Sequence, residues 1–275
     1  MGNASKWLKE AALNHFFRNT PTAATANRYL ALYKTNPPNA DEGQEISGGG
    51  YVRQRITFAA PEQVGGLGTI TNTNAIAFPE ATADWTQPGE TVGYWGIRTA
   101  ATGGYLLAFG EFKDPDRQND GKYAVTKFDQ FNVGVGKIII QFNDKASNWL
   151  QNAVLNHFFR NSSTASPANV HLALYMSNPT GEDIGVEVTY TGYERQRVVF
   201  EAPVSQHNGE TVIRNSEVLD FPIPNTDLGV IAFFGLRTAA TGGNLLTFAS
   251  WSVEKAISAG MQFSVNIGNL ELAML

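Results

Sequence analysis

The chain has 275 residues, of which 43% are hydrophobic and 16% are charged, with a net charge of −5 and no cysteine. This composition suits one large domain or two ordinary ones, and it excludes a disordered polar chain. The acidic balance argues against a nucleic-acid binder, and the lack of cysteine excludes disulfides, cysteine-ligated metals and thiol nucleophiles.

The first predicted element is a helix that begins after Ser5. Serine is a favourable N-cap, and the apolar residues that follow it have helical spacing until Asn19 and Pro21 end the pattern. The apolar residues with this spacing are Trp7, Leu8, Ala11, Ala12, Leu13, Phe16 and Phe17. They form one continuous apolar face, so we expect the helix to pack on a sheet.

Short β-rich segments follow the helix and are separated by turns rich in Gly, Asn, Thr and Pro. Their close spacing, without helical crossovers, predicts antiparallel sheets in a sandwich or barrel. The predicted strands cover residues 28–34, 51–59, 69–78, 93–99, 105–112 and 137–142. We therefore expect a mainly β domain, an antiparallel β-sandwich with an N-terminal helix packed on it.

The most informative polar feature of these strands is the motif Tyr51-x-Arg53-Gln-Arg55. Alternation along a strand places Tyr51, Arg53 and Arg55 on one face. Two arginines on one face match the carboxylates of an adjoining subunit, which guanidinium groups bind bidentately. The alternative is that their alkyl stems cover the sheet while the charged heads stay in solvent. Arg53 and Arg55 are candidate interface residues on the first of these interpretations.

The next two features are a turn and a polar segment. Residues 98–104, Arg-Thr-Ala-Ala-Thr-Gly-Gly, predict a hairpin turn in which glycine supplies positive φ. Residues 111–130 are charged and polar and contain several turn formers, which indicates an exposed loop or hairpin.

The second half of the chain repeats the first. Residues 4–19 recur as residues 146–161, and residues 98–104 recur unchanged as residues 237–243. Further matching blocks lie between them in the same order. Chance does not produce such a series, so the sequence predicts a tandem duplication of a whole domain.

We expect the first copy to cover residues 1–143 and the second to cover residues 144–275. The second copy lacks the polar segment of the first, and Arg195 and Arg197 stand at the positions of the first candidate arginines. They are therefore candidates for the same kind of interface. The second-copy strands are predicted at residues 170–176, 193–201, 211–221, 230–238, 244–253 and 261–267.

Residues that carry chemistry are few. His15 and His157 stand at equivalent positions on the two helices, without a nucleophile or carboxylate motif, so we interpret them as packing residues. The acidic pairs at residues 41–42 and 182–183 are interpreted as solvated loop charge and not as glycosidase carboxylates. The usual hydrolase, metalloprotease, ATP-binding and dinucleotide-binding motifs are absent. We therefore predict a protein that is not an enzyme and has no catalytic residues, cofactor or metal.

Several segments form a characteristic series in each copy. In the first copy they are Leu-Ala-Leu-Tyr-Lys-Thr-Asn-Pro at 30–37, Gly-Gly-Gly-Tyr-Val-Arg-Gln at 48–54, Phe-Pro at 78–79, Trp-Gly-Ile at 95–97 and Ala-Thr-Gly-Gly-Tyr-Leu-Leu at 101–107. The second copy has its matching segments at 172–179, 192–196, 221–222, 234–236 and 240–246. The series resembles that of small tailed-bacteriophage virion proteins, known as tail fibre or minor tail proteins.

This resemblance implies a structural protein of the virion, assembled in the host cytoplasm. Its expected partners are copies of itself and other virion proteins of the tail, baseplate, fibre or capsid. The duplication and the extra polar segment depart from the single-copy pattern and indicate a different position on the particle. No nucleic-acid or membrane partner is expected, because the chain lacks a basic stripe and its apolar runs are too short to span a bilayer.

The preferred hypothesis is a tail-associated component such as a tail fibre, a fibre-attachment protein or a baseplate adaptor. The alternatives are a capsid decoration or cement protein, a receptor module that binds host surface glycans, and a glycosidase. Trp85, Trp95 and Trp251 would form the sugar platform of a receptor module, although core packing is the commoner fate of tryptophan. For assembly, a trimer of fused pairs would present six similar domains, and the alternative is a dimeric clamp.

Overall fold

A computed structural model describes residues 2–38, 40–113, 123–142 and 145–274 of the protein. Within these ranges the fold is mainly β and consists of two copies of one domain, as the sequence predicts. Residues 143 and 144, where we expect one copy to end and the next to begin, lie outside the described residues, so this boundary stays a prediction.

In its described part, the first copy contains one helix and ten strands. They are β1 (Asn3–Ala4), α1 (Lys6–Phe17), β2 (Arg28–Tyr33), β3 (Gln54–Ile56), β4 (Glu62–Val64), β5 (Leu67–Thr71), β6 (Ile76–Ala77), β7 (Tyr94–Arg98), β8 (Leu106–Glu111), β9 (Asn132–Val133) and β10 (Ile139–Gln141).

The described part of the second copy contains one helix and nine strands. They are α2 (Asn148–Arg160), β11 (Val170–Tyr175), β12 (Gln196–Val198), β13 (Val204–Ser205), β14 (Thr211–Arg214), β15 (Leu219–Asp220), β16 (Gly229–Arg237), β17 (Leu245–Ile257), β18 (Ser264–Val265) and β19 (Glu271–Met274).

The strands of each copy pair antiparallel in three sheets. The main sheets have the orders β1-β8-β7-β2-β3 and β12-β11-β16-β17, and the second sheets have the orders β10-β5-β4 and β13-β14-β19. The pairs β6-β9 and β15-β18 complete the two copies. Apart from β1, each strand of the first copy has its equivalent in the second. These sheets are open, with β3 and β12 at their edges, so the fold is a sandwich and not a barrel.

Both helices begin as the sequence predicts. The hydroxyl oxygen of Ser5 accepts a hydrogen bond from the backbone N–H of Leu8 at 3.1 Å, and the hydroxyl group donates to the carbonyl of Leu106. Ser147 caps α2 in the same way. Each N-cap therefore satisfies a free N–H of the first helical turn and also attaches the helix to its own main sheet.

The helices lie between the two copies, which the sequence does not reveal. Helix α1 packs on β8 of its own copy and on β14 of the second, while α2 packs on β17 and on β5 of the first. The buried apolar residues of both copies form one continuous core. The apolar helical face therefore packs on a sheet, as expected, but it joins two domains.

The copies differ where the first carries its polar segment. In the second copy, β16 and β17 extend into a long hairpin, whereas the equivalent β7 and β8 stop earlier. Residues 114–122 of the polar segment lie outside the described residues. In the part that is described, Val125 is buried and pairs with Thr86 through hydrogen bonds in both directions, while Phe128 is 70% exposed.

Candidate interaction site

Arg53 lies just before β3 and is bound within the chain. Its Nε and Nη2 atoms donate to the carboxylate of Glu45 at 2.7 and 2.8 Å. Its Nη1 donates to the carbonyls of Ala100 and Gly103 at 2.9 and 2.6 Å. The guanidinium group thus joins a carboxylate to the turn between β7 and β8.

Arg195 repeats this arrangement in the second copy. Its donors bind both carboxylate oxygens of Glu187 at 2.7 Å and the carbonyls of Ala239 and Gly242 at 2.9 and 2.7 Å. The side chains of Arg53 and Arg195 are only 9 and 10% exposed. Arg53 and Arg195 therefore each hold the turn of their own copy, and their guanidinium groups already bind carboxylates of this chain.

A second arginine holds each turn. Arg98 donates to the hydroxyl of Tyr33 at 2.9 Å, to the carbonyl of Gly104 at 3.2 Å and to the carboxylate of Asp41. Burial raises the pKa of Tyr33 to about 12, so its hydroxyl stays neutral and available as an acceptor. The turn is consequently fixed from two sides.

Arg237 holds the second turn, bonding the hydroxyl of Tyr175 at 2.8 Å and the carboxylate of Asp183 at 2.7 and 2.8 Å. Asp41 and Asp183 lie in loops and are exposed, as interpreted, but each carboxylate also pairs with an arginine of its own copy. The signal for these partners was present in the duplication, because the acidic residues at 41 and 183 and at 45 and 187 are equivalent. Sequence reasoning did not use it.

Arg55 and Arg197 have a different environment. They lie on the edge strands β3 and β12 and are exposed, and within the described part of the chain their guanidinium groups have no hydrogen-bond or ion-pair partner. Each lines a cleft between its edge strand and the end of the helix from the other copy. We name these the Arg55 cleft (Arg28, Arg55, Phe58, Phe159, Arg160, Asn161) and the Arg197 cleft (Phe17, Arg18, Asn19, Val170, Arg197, Phe200).

The two clefts occupy equivalent positions in the two copies and are closed by equivalent hydrogen bonds. Arg18, the C-cap of α1, donates from Nε to the carbonyl of Phe200 at 3.2 Å, and Arg160 at the end of α2 donates in the same way to Phe58 at 3.3 Å. Their volumes are about 280 Å³ beside Arg197 and about 330 Å³ beside Arg55. Contacts exchanged in this reciprocal way relate the copies by an approximate two-fold axis.

His15 and His157 meet at this axis, with ring centres 4.2 Å apart. In each ring Nδ1 accepts a backbone N–H from its own copy, so Nε2 carries the proton and donates to the other copy. His15 bonds Thr22 at 3.1 Å and the carbonyl of Thr164 at 2.9 Å, and His157 bonds Thr164 at 3.2 Å and the carbonyl of Thr22 at 2.8 Å. Both rings are buried, and their nitrogens are occupied by structural bonds.

The tryptophans considered for a sugar platform have mostly joined the core. Trp85 and Trp95 are 2 and 3% exposed, so neither ring face is open to a ligand. Trp251 is half-buried against Phe234 and Phe263. A platform built from these three side chains is therefore not formed.

In the part of the chain that the structure describes, no cluster of three or more His, Asp or Glu side chains could hold a metal ion. Helices α1 and α2 are too short and too polar to cross a membrane.

Comparison with known proteins gives one family. The family model described as Podophage GP4 fiber I protein gp80 matches the chain twice, over residues 3–135 and 145–273. No curated protein matches the chain. The double match confirms both the resemblance to tail fibre proteins and the tandem duplication.

Proposed function

The chain belongs to the podophage GP4 fiber I family, a family of phage tail fibre proteins, and from this premise we propose how it acts within the virion. The family indicates a tail-associated structural role. We propose that the chain is a fibre or fibre-attachment component that acts through contacts between subunits, without catalysis. Its partners in this proposal are copies of itself and other tail proteins.

The observation that carries this proposal is the placement of Arg55 and Arg197. Each is an exposed cation on an edge strand with no ion-pair partner among the described residues, and edge strands offer free backbone groups to a second chain. Arg53 and Arg195 contribute indirectly, because they fix the turns that stand beside these edges. In this proposal Arg55 and Arg197 contact the partner subunit, and Arg53 and Arg195 position the turns beside them.

The approximate two-fold axis bears on the geometry of assembly. Reciprocal contacts orient the two copies in opposite directions, so the same surface of each copy faces a different side. A two-fold turns one copy by 180° relative to the other, whereas neighbours in a six-fold ring are turned by 60°, so the six domains of a trimer of such chains do not match that ring. This favours the dimeric clamp over the trimer of fused pairs.

A second candidate function rests on one stacked aromatic pair. Trp7 and Tyr105 lie parallel, with ring centres 4.5 Å apart, and Tyr105 is 56% exposed. One ring face supported from behind suits stacking against a sugar of the host surface. A Tyr105→Ala variant that loses binding to host cells or glycans while keeping its fold would favour this receptor function.

The structural proposal is tested by complementing a phage that lacks this chain. The double variant R55E/R197E should be incorporated into particles at less than a tenth of the wild-type level, measured by immunoblotting purified virions and by infectious titre. The matched control is K137E, a charge reversal at another exposed cation. Wild-type incorporation of R55E/R197E would contradict the proposal, provided that thermal unfolding shows both variants folded.

A further inference from the structure

The Arg55 cleft has an unusual charge for this acidic protein. Three of its lining residues are arginines, namely Arg28, Arg55 and Arg160, and none of the described residues that line it is acidic. The whole chain has a net charge of −5, so this concentration of positive charge is local. A concave surface with one sign of charge attracts small ions of the other sign.

Arg28 supplies the buried part of this charge. It is 2% exposed and donates to the carbonyls of His157 at 3.2 Å, of Asn27 at 3.3 Å, and of Phe158 and Thr25. These carbonyls satisfy its N–H groups, and those of α2 add the negative end of a helix dipole. Its described surroundings contain no carboxylate partner, and burial lowers its pKa to about 10. Arg28 therefore stays protonated at neutral pH, and within its described surroundings only carbonyl dipoles, not a carboxylate, offset its charge.

Arg55 and Arg160 supply the accessible part. Arg160 donates from Nε to the carbonyl of Phe58 and from Nη1 to the side-chain oxygen of Asn156, and no described residue accepts a hydrogen bond from its Nη2. Arg55 is exposed on the edge strand, and no described residue forms a hydrogen bond or ion pair with its guanidinium group. The cleft thus contains a donor held in place, Arg160, and an exposed donor, Arg55, above the buried charge of Arg28.

The Arg197 cleft provides an internal comparison. It has the equivalents of the two accessible donors in Arg18 and Arg197, but Val170 stands at the position of Arg28. The two sites therefore differ by one buried charge within the same polypeptide. This difference predicts that an anion binds more strongly in the Arg55 cleft than in the Arg197 cleft.

We propose that the Arg55 cleft binds one oxoanion group, a carboxylate or a phosphate, with Arg55 and Arg160 as donors and Arg28 as the buried charge beneath. The volume of about 330 Å³ accommodates such a group together with part of the molecule that bears it. Guanidinium groups bind both kinds of oxoanion through paired N–H donors. This site does not depend on the proposed assembly role, since a free ion would bind in the isolated protein.

The test is a titration of the full chain with inorganic phosphate and, separately, with glutarate. Arginine Nε–Hε signals are followed by NMR at constant ionic strength, with chloride replaced by the probe. Saturable shifts of the Arg55 and Arg160 signals are expected with at least one probe, at a concentration about tenfold lower than for Arg18 and Arg197. Saturation by phosphate alone identifies a phosphate source, and saturation by glutarate identifies an acidic side chain or small carboxylate.

Two variants separate this site from general salt effects. R55Q should weaken binding at the Arg55 cleft about tenfold, as expected for one charge-assisted hydrogen bond, whereas R197Q should leave it unchanged. R28M should remove the difference in affinity between the clefts. Since R28M also changes the core, R55Q, at an exposed position, keeps the test valid if R28M does not fold. Shifts that never saturate, or equal effects of R55Q and R197Q, would overturn the proposal.

Discussion

At the scale of single residues, Arg53 lies just before β3 and Arg55 lies within it, and the two side chains have different roles. The guanidinium group of Arg53 binds Glu45, Ala100 and Gly103 of the same chain. The guanidinium group of Arg55 has no hydrogen-bond or ion-pair partner among the described residues. Strand alternation places both arginines on one face, but it carries no information about Glu45 or about the turn that receives the first side chain. The partners come from loops, whose path the local pattern does not specify.

Replacing Arg53 by methionine should lower the free energy of unfolding by about 3 kcal/mol, because Glu45 keeps a largely buried carboxylate without its partner. The carbonyls of Ala100 and Gly103 also lose their donor. The measurement is urea denaturation followed by circular dichroism. Arg55→Met is the matched control, and its exposed position should change stability by about 0.5 kcal/mol or less. Equal effects would contradict the distinction between the two arginines.

The histidine pair predicts how stability depends on pH. Burial lowers the pKa of His15, and repulsion from His157 adds to this effect; burial also lowers the pKa of His157. The unfolded chain therefore takes up protons first, near its ordinary histidine pKa of about 6.5. Stability should be fully present above that pH and should fall as the pH decreases towards the lowered values of the folded state.

The measurement is the free energy of unfolding at pH 7.5 and at pH 5.5. The double variant H15Q/H157Q should show a smaller decrease than the wild type, while H207Q, at an exposed histidine, should match it. His171 will leave a residual slope, because burial and the nearby charges of Arg195 and Arg197 lower its pKa as well. An unchanged slope in the double variant would show that the pair does not control this dependence.

At the scale of elements, the sequence predicts the helices and strands that have a periodic residue pattern. It misses the short strands that are defined only by pairing with a distant strand. The helix was predictable from Ser5 and the apolar spacing after it, and most segments with period two contain a strand. The segment 51–59 forms only the three-residue strand β3, because its first residues turn away to bring Tyr51 and Arg53 to Glu45. Strands as short as β6 or β9 leave no periodic pattern, so only the folded partner strand reveals them.

Close packing between β2 and β7 explains the glycine of the Trp-Gly-Ile segment. A Cβ on Gly96 would lie 2.8 Å from the ring of Tyr33 and 2.8 Å from Leu106, and Gly235 has nearly the same surroundings in the second copy. Gly96→Ala should therefore cost about 1–3 kcal/mol through overpacking. Thermal unfolding measures this, with Gly134→Ala as control, since its Cβ would meet only the side chain of Lys137 at 3.5 Å. A neutral Gly96→Ala would show that the sheet can move apart at little cost.

At the scale of the whole molecule, the duplication was predictable and the association of the copies was not. The sequence shows that each helix has an apolar face, but one face can pack on its own sheet, on the other copy or on both. In the structure each helix packs both on its own sheet and on the other copy. Phe16 lies against Trp149, and Trp7 lies against Phe158, across the approximate two-fold axis. The same uncertainty concealed the Arg55 and Arg197 clefts, because each is lined by both copies.

This arrangement predicts that the copies need each other. Fragments 1–143 and 144–275, divided at the predicted boundary, should each expose the apolar surface that the partner copy normally covers. Co-expressed with a tag on one fragment, they should co-purify as a one-to-one complex, measured by size-exclusion chromatography with light scattering. Expressed alone, each should aggregate or pair with itself through the same surface, because the two copies present similar surfaces.

A matched pair of substitutions assigns this association to the helices. Phe16→Asp introduces an unpaired charge where α1 meets Trp149 and His157, so it should abolish co-purification of the two fragments. Phe128→Asp changes a side chain that is 70% exposed in the same fragment and should leave the complex intact. If the two fragments instead elute as stable monomers with no affinity for each other, the continuous core is not what holds the copies together, and the clamp geometry loses its basis.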